Sequence, residues 1–232
     1  MTFNSLTSFI DQGSYLNYTT NTFYPTAGRI MFAFIVVSNN DDTLDSVTGS
    51  QYTWEKVTSI QFTGDGGGGY GYSGLNLYWA YCDSGNSDTL SVQCPGSSNP
   101  NTCMISVFEI ASSFGKNCFT PRQITSNKTN GTIFQTTFNA SKLESNGAFT
   151  FVAAIDKLTT STAPTSYSVL DTISGGTPFD CGARLGVIGS GTSGTNVQWG
   201  ANDSSVEYGM ITVEVWNPHT VTGTAYSSPM AY

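Results

Sequence analysis

Two glutamates sit inside apolar runs, Glu109 in VFEIA and Glu214 in TVEVW. Paired carboxyls facing a cleft can hydrolyse a glycosidic bond, one as acid and one as base or nucleophile. A carboxyl inside an apolar strand can equally be a structural group held by hydrogen bonds. No second acid shares a strand face with either one, so the pairing that a hydrolase needs is not written in the spacing. Nucleophilic catalysis needs a base beside the nucleophile. His219 is the single histidine, three residues past Trp216, and no G-x-S-x-G elbow occurs. The stretch Thr63–Gly74, TGDGGGGYGYSG, contains a literal G-x-G-x-x-G at Gly69, Gly71 and Gly74. The residues after it, LNLYWAY, alternate like a strand, and no Lys follows the glycines. A phosphate cradle needs a helix there, so the stretch reads as a hairpin connection that presents Tyr70 and Tyr72. No residue is assigned a catalytic role.

Three sets of residues remain candidates for binding or cross-linking. The loop NNDDTLD places Asn39, Asp41, Asp42 and Asp45 together, an oxygen-rich set of the kind calcium takes, although Asn and Asp are also ordinary turn residues. A structural calcium is the single cofactor candidate. Tyr70, Tyr72 and Tyr81, with Asn76 nearby, could form an aromatic platform with an amide for a sugar. Of the five cysteines, Cys94 and Cys103 flank a turn, PGSSNPNT, and Cys82 and Cys118 could meet if their strands are neighbours. These pairs are disulfide candidates, with buried free thiols as the alternative. No C-x-x-C occurs, and one His cannot complete a zinc cluster.

The elements that must position these residues are strands. RIMFAFIVVS (Arg29–Ser38), CMISVFEI (Cys103–Ile110), AFTFVAAI (Ala148–Ile155) and MITVEVW (Met210–Trp216) are apolar on both alternating faces, as a strand covered on both sides must be. Weaker alternating strands lie at Thr53–Phe62, Leu75–Tyr81, Thr89–Cys94, Thr132–Phe138, Tyr167–Thr172, Ala183–Ile188 and Asn196–Gly200. Asp41–Gln51, Gly64–Gly74, Ser112–Gly131 and Thr159–Ser166 read as soft connections. The expected fold is all-β: a two-sheet antiparallel β-sandwich, jelly-roll-like, in one domain over residues 25–216. No internal repeat is evident in the sequence. Residues 1–24 and 217–232 read as an N-terminal and a C-terminal arm. Tyr226, Met230 and Tyr232 make the second arm adhesive enough to dock on a partner.

The 232 residues carry a net charge of −8, and 10% of them are charged. An acidic chain without a Lys/Arg stripe repels phosphate backbones and anionic membranes, so neither nucleic acid nor a membrane is expected as partner. No apolar run approaches the ~18 residues of a membrane span. The first twenty residues lack the basic and apolar regions of a signal peptide. A surface-like composition without a secretion signal points to a virion protein, with an extracellular or cell-surface location as the alternative.

DSVTGSQYTWEKV (Asp45–Val57) resembles a recurring D-x-x-G-x-x-W-x-x-V hairpin, with a longer Gly49–Trp54 spacing than the pattern. LNLYWAYCDSGNSDTLSVQC and MISVFEIASS resemble the strand core found next to it. Together they are similar to jelly-roll-like sandwich modules of phage capsid-accessory and tail proteins and of bacterial surface proteins. The resemblance covers roughly Ile30–Ser113. It implies a structural or adhesive role, with Trp54 and Trp79 as packing anchors and no catalytic residues. The expectation is a non-enzymatic virion subunit: a capsid decoration or cement protein, or a spike- or tail-associated module. Its partners would be other virion subunits and further copies of itself in a homo-oligomer. A lectin-like module that binds host glycans is the alternative, and a glycoside hydrolase the third reading.

Overall fold

The computed structural model of the chain describes residues 1–13, 15–38, 44–63, 72–95, 102–111, 121–154, 162–175, 181–200 and 206–216. The first eight strands are β1 (Phe3–Asp11), β2 (Asn17–Thr19), β3 (Arg29–Val37), β4 (Ser46–Gly49), β5 (Glu55–Thr63), β6 (Tyr72–Cys82), β7 (Leu90–Gln93) and β8 (Cys103–Ile110). Seven more follow: β9 (Pro121–Gly131), β10 (Gln135–Lys142), β11 (Gly147–Ala154), β12 (Ser168–Ser174), β13 (Gly182–Ile188), β14 (Gly194–Gln198) and β15 (Val206–Val215). All pair antiparallel, and the described residues contain no helix. The chain is an all-β sandwich, as its alternation predicts.

The strands form four layers. Two five-stranded sheets, ordered β1-β8-β3-β6-β5 and β12-β13-β11-β15-β9, pack face to face. Phe32, Phe34, Phe108, Phe149 and Phe151 fill the space between them. The Phe32 and Phe149 rings lie 4.8 Å apart, and Phe108 meets Phe149 edge-on at 5.1 Å. Outside the first sheet, the small sheet β2-β7-β4 covers Met31, Ala33, Ile35 and Val107 with Tyr18, Val47 and Val92. Outside the second sheet, β10 and β14 cover Val152, Tyr208 and Met210 with Phe134, Phe138 and Val197. This layering is why the four central strands are apolar on both faces. Each is covered on one side by the opposite five-stranded sheet and on the other by a small outer sheet.

Residues 1–111 and 121–216 have the same topology. In the first half β1 pairs with β8, β8 with β3, β3 with β6 and β6 with β5. In the second, β9 pairs with β15, β15 with β11, β11 with β13 and β13 with β12. The outer pair β2–β7 is matched by β10–β14. The registers agree as well. Glu109 stands opposite Met31, and Glu214 opposite Ala148, which places Phe32 with Phe149 and Phe34 with Phe151. Even the irregularities coincide. A bulge at Val57 falls between the partners of Tyr78 and Leu77, and a bulge at Leu170 between those of Gly186 and Leu185. Tyr78 and Leu77 pair with Ala33 and Phe34, and Gly186 and Leu185 with Thr150 and Phe151, so the two bulges are one feature built twice. Across the sandwich β1 lies against β12 and β5 against β9 and β15, so corresponding edges face each other crosswise, as halves related by a twofold would.

Three expectations are corrected. Residues 1–24 are not an arm: β1 is the edge strand of the first large sheet, paired with β8 from Phe3 to Asp11, and β2 belongs to the outer sheet. The soft connection Asp41–Gln51 contains β4, and Ser112–Gly131 contains the eleven-residue β9. β9 reads as polar because β10 lies over it. The side chains of Gln123, Thr125 and Asn127 donate to the backbone carbonyls of Ala140, Thr137 and Gln135 at 2.8, 3.0 and 2.7 Å. Amides and hydroxyls there do the work that apolar side chains do elsewhere in the core.

Candidate functional site

The two strand glutamates occupy matching sites. Glu109 is fully buried on β8 and accepts from the backbone N–H of Thr26 (2.8 Å), the Thr26 hydroxyl (3.0 Å), the Asn4 amide (3.3 Å) and the guanidinium of Arg29. Glu214 is fully buried on β15. It accepts from the backbone N–H of Leu143 (2.9 Å), the Asn146 amide (2.8 Å), the Gln123 amide and the guanidinium of Arg122 (2.6 Å). Asn4 and Gln123 are the residues paired with the two glutamates on the edge strands. Thr26 and Leu143 each lie three residues before the next donor, Arg29 or Asn146. Burial alone would push the Glu214 carboxyl up, but the hydrogen bonds from Leu143, Arg122, Asn146 and Gln123 outweigh it and hold the group below its ordinary value. Each glutamate accepts four hydrogen bonds that tie its strand to the neighbouring edge strand and loop, the arrangement of a strand clamp.

A groove lies elsewhere, beside β14. It measures about 400 Å³ and runs between β14 (Gly194, Asn196, Gln198) and the turn Pro164–Tyr167. Thr162 accepts from the Gly200 N–H at 2.8 Å, so the incoming chain touches the end of the β14 edge. It then turns away: Tyr167 N–H bonds to Pro164 O at 2.8 Å, and Ser166 adopts a left-handed φ of 69°. Pro164 has no N–H to give a ladder. At the far end Lys142, 4% exposed, donates to the carbonyls of Leu143 and Thr192 at 3.0 Å each. Burial lowers its pKa, and Glu214 and Glu144 partly offset that. The Tyr167 hydroxyl is buried with no hydrogen-bond partner among the described residues, and burial, with Glu214 nearby, pushes its pKa up.

A second depression, about 220 Å³, is lined by Tyr52, Glu55, Trp79, Tyr81 and Asp83. Of the expected sugar platform, Tyr81 alone lies there. Tyr72 is exposed at the start of β6, Tyr70 lies outside the described residues, and Asn76 is buried. Asn76 is on the face of β6 that points to the outer sheet, whereas Tyr81 packs towards the central core, so the strand's alternation keeps them apart. The platform read from the sequence therefore does not assemble. Trp79, expected as a packing anchor, is half-buried here beside Glu55, its partner in the β5–β6 register, which the sequence did not single out.

Asp45 is exposed, and its N–H bonds to Gln93 O at 2.9 Å. Asn39, Asp41 and Asp42, the rest of the calcium candidate, lie outside the described residues. Among the described residues no three His, Cys, Asp or Glu side chains gather as a metal site. Cys82, Cys94, Cys103 and Cys181 are buried and form no disulfide, and Cys118 lies outside the described residues. Cys82 donates to the Tyr52 hydroxyl at 3.4 Å. Burial, then the nearby Cys94 and Asp11, push the Cys103 thiol well up. Tyr226, Met230 and Tyr232 lie outside the described residues. No protein-family model, curated protein or solved structure matches the chain.

Proposed function

We propose that the chain is a non-enzymatic structural subunit of a virion, a capsid decoration or cement protein or a spike- or tail-associated module, that binds neighbouring subunits through its edges and loops. The observation that carries this reading is the saturation of Glu109 and Glu214. The two acids whose strand setting suggested hydrolysis serve as clamps for their sheets. The acidic, weakly charged surface and the resemblance of Asp45–Val57 to virion sandwich modules support the same reading. Binding would bury edges and loops against neighbours over more than ~1,000 Å² for a stable complex. Electron microscopy of the purified chain, alone and mixed with candidate capsids, tests it. A repeating assembly or decorated particles are expected; a chain that stays solitary under every mixture overturns it.

A glycan-binding role is favoured by the second depression, where Trp79 and Tyr81 stand beside Glu55 and Asp83. Aromatic faces with acceptor carboxylates suit sugar C–H and O–H groups. Glycan-array binding that Tyr81→Ala and Asp83→Ala both abolish would establish it, and an array without signal would remove it.

A further inference from the structure

Lys142 is buried at the end of β10, and among the described residues no carboxylate lies within ion-pair distance of it. Its Nζ donates to two carbonyls, Leu143 O and Thr192 O, at 3.0 Å each. An ammonium buried without a counter-ion is costly unless it gives up its charge. The same Leu143 O accepts from the backbone N–H of Asn146 at 3.0 Å, so the turn between β10 and β11 folds Asn146 back beside the lysine. Asn146 is fully buried, and its Nδ2 donates to Glu214 Oε1 at 2.8 Å. Three buried groups therefore gather under one turn: an amine, a primary amide and a carboxylate. The first clamp holds no such set. Thr26 matches Leu143 there, so Pro25 stands where Lys142 does and Arg29 where Asn146 does.

We propose that Lys142 and Asn146 join in a side-chain amide cross-link, formed by the chain itself with Glu214 as the proton carrier. The lysine stem turns Nζ from the two carbonyls to Asn146 Cγ. The Nζ–Cγ bond forms and the Cγ–Nδ2 bond breaks. Glu214 Oε1 takes a proton from Nζ and passes it to Nδ2, its hydrogen-bond donor, and Nδ2 leaves as ammonia. An amine and an amide become an amide and ammonia, so the step needs no oxidant, metal or other reactant. Burial favours both ends of it. It lowers the pKa of Lys142, which brings the neutral, nucleophilic amine within reach, and Glu214 is near enough to oppose that shift. It also favours the product, in which a neutral amide replaces an ammonium. The cross-link closes a ring over the β10–β11 turn, beside the carboxylate of the second clamp. The reaction runs once per chain and is not turnover, so it stands apart from the question of which neighbours the chain binds.

Intact-mass spectrometry and tryptic mapping of the folded full chain test it. The wild type is expected to weigh about 17 Da less than its sequence, the mass of the lost ammonia. Trypsin should no longer cut after Lys142, because its amine is acylated. Lys142→Met keeps an apolar stem in the same space and is expected to show the full mass, with circular dichroism and thermal melting establishing that it is folded. A folded wild type at full mass overturns the proposal. So does the same loss with Lys142 still cut, which marks a succinimide closed on Asn146 by the Gly147 nitrogen. A loss that survives in Lys142→Met overturns it as well. A folded Glu214→Gln chain that cross-links as completely as the wild type overturns the role given to Glu214.

Discussion

Phe34 and Phe151 hold the same register position in their two halves and stack on each other across the sandwich, ring centroids 4.5 Å apart and planes 13° from parallel. Corresponding residues that touch must lie on the axis relating the halves. Phe34→Ala and Phe151→Ala are each expected to destabilise the fold by about 3–5 kcal/mol. The double variant should cost less than the sum, because each single change already vacates the other's contact. Urea unfolding followed by tryptophan fluorescence reads all three, and strict additivity would show that the rings do not share one site.

Glu214 carries a pH dependence of known sign. Its folded pKa lies below the ordinary 4.5, so its stabilisation is present above that value and is lost as pH falls through the folded one. Glu214→Ala removes the buried acceptor shared by Arg122, Gln123, Asn146 and the Leu143 N–H and should cost about 3 kcal/mol at neutral pH. Its deficit against wild type should shrink in acid. Melting curves from pH 7 down to pH 3 check this, and a deficit that stays constant would contradict it.

Asp171 runs the other way. Burial raises its pKa, partly offset by hydrogen bonds from Ser106, Thr172 and Ser8. Ser106 donates at 2.6 Å. The folded state therefore favours the protonated form, and ionised Asp171 costs stability that returns as pH drops through the raised value. Asp171→Asn should stabilise the chain at neutral pH, with the advantage fading in acid. A variant less stable at pH 7 than at pH 4, relative to wild type, would reverse the assignment.

The thiols give a fourth expectation. Cys82, Cys94, Cys103 and Cys181 are buried, and the thiolate is the reactive form, which burial disfavours at Cys103. Alkylation of the native chain followed by peptide mapping should leave these four unmodified, and alkylation in denaturant should label all of them. Rapid labelling of Cys103 in the native chain would contradict the packing around β8.

The central strands were legible because burial on both faces leaves an apolar run with no alternation, as in Arg29–Val37 and Gly147–Ala154. β1 was not. Before its bulge Phe3 points to the central core, and after it Ile10 does, while Phe9 points to the outer sheet. One extra residue shifts the period, and the strand reads as scattered apolar residues. The repeat was hidden for a related reason. The halves share register, bulge and clamp, but in letters little beyond Phe-x-Phe and a strand glutamate. At the clamps Asn4 is replaced by Gln123 and Arg29 by Asn146, with the positive charge supplied from Arg122 instead.

A lone copy of the seven-strand unit would expose a sheet face of phenylalanines to water and would survive by finding a twin. In this chain the two halves are joined end to end, so each keeps the other's phenylalanine face covered.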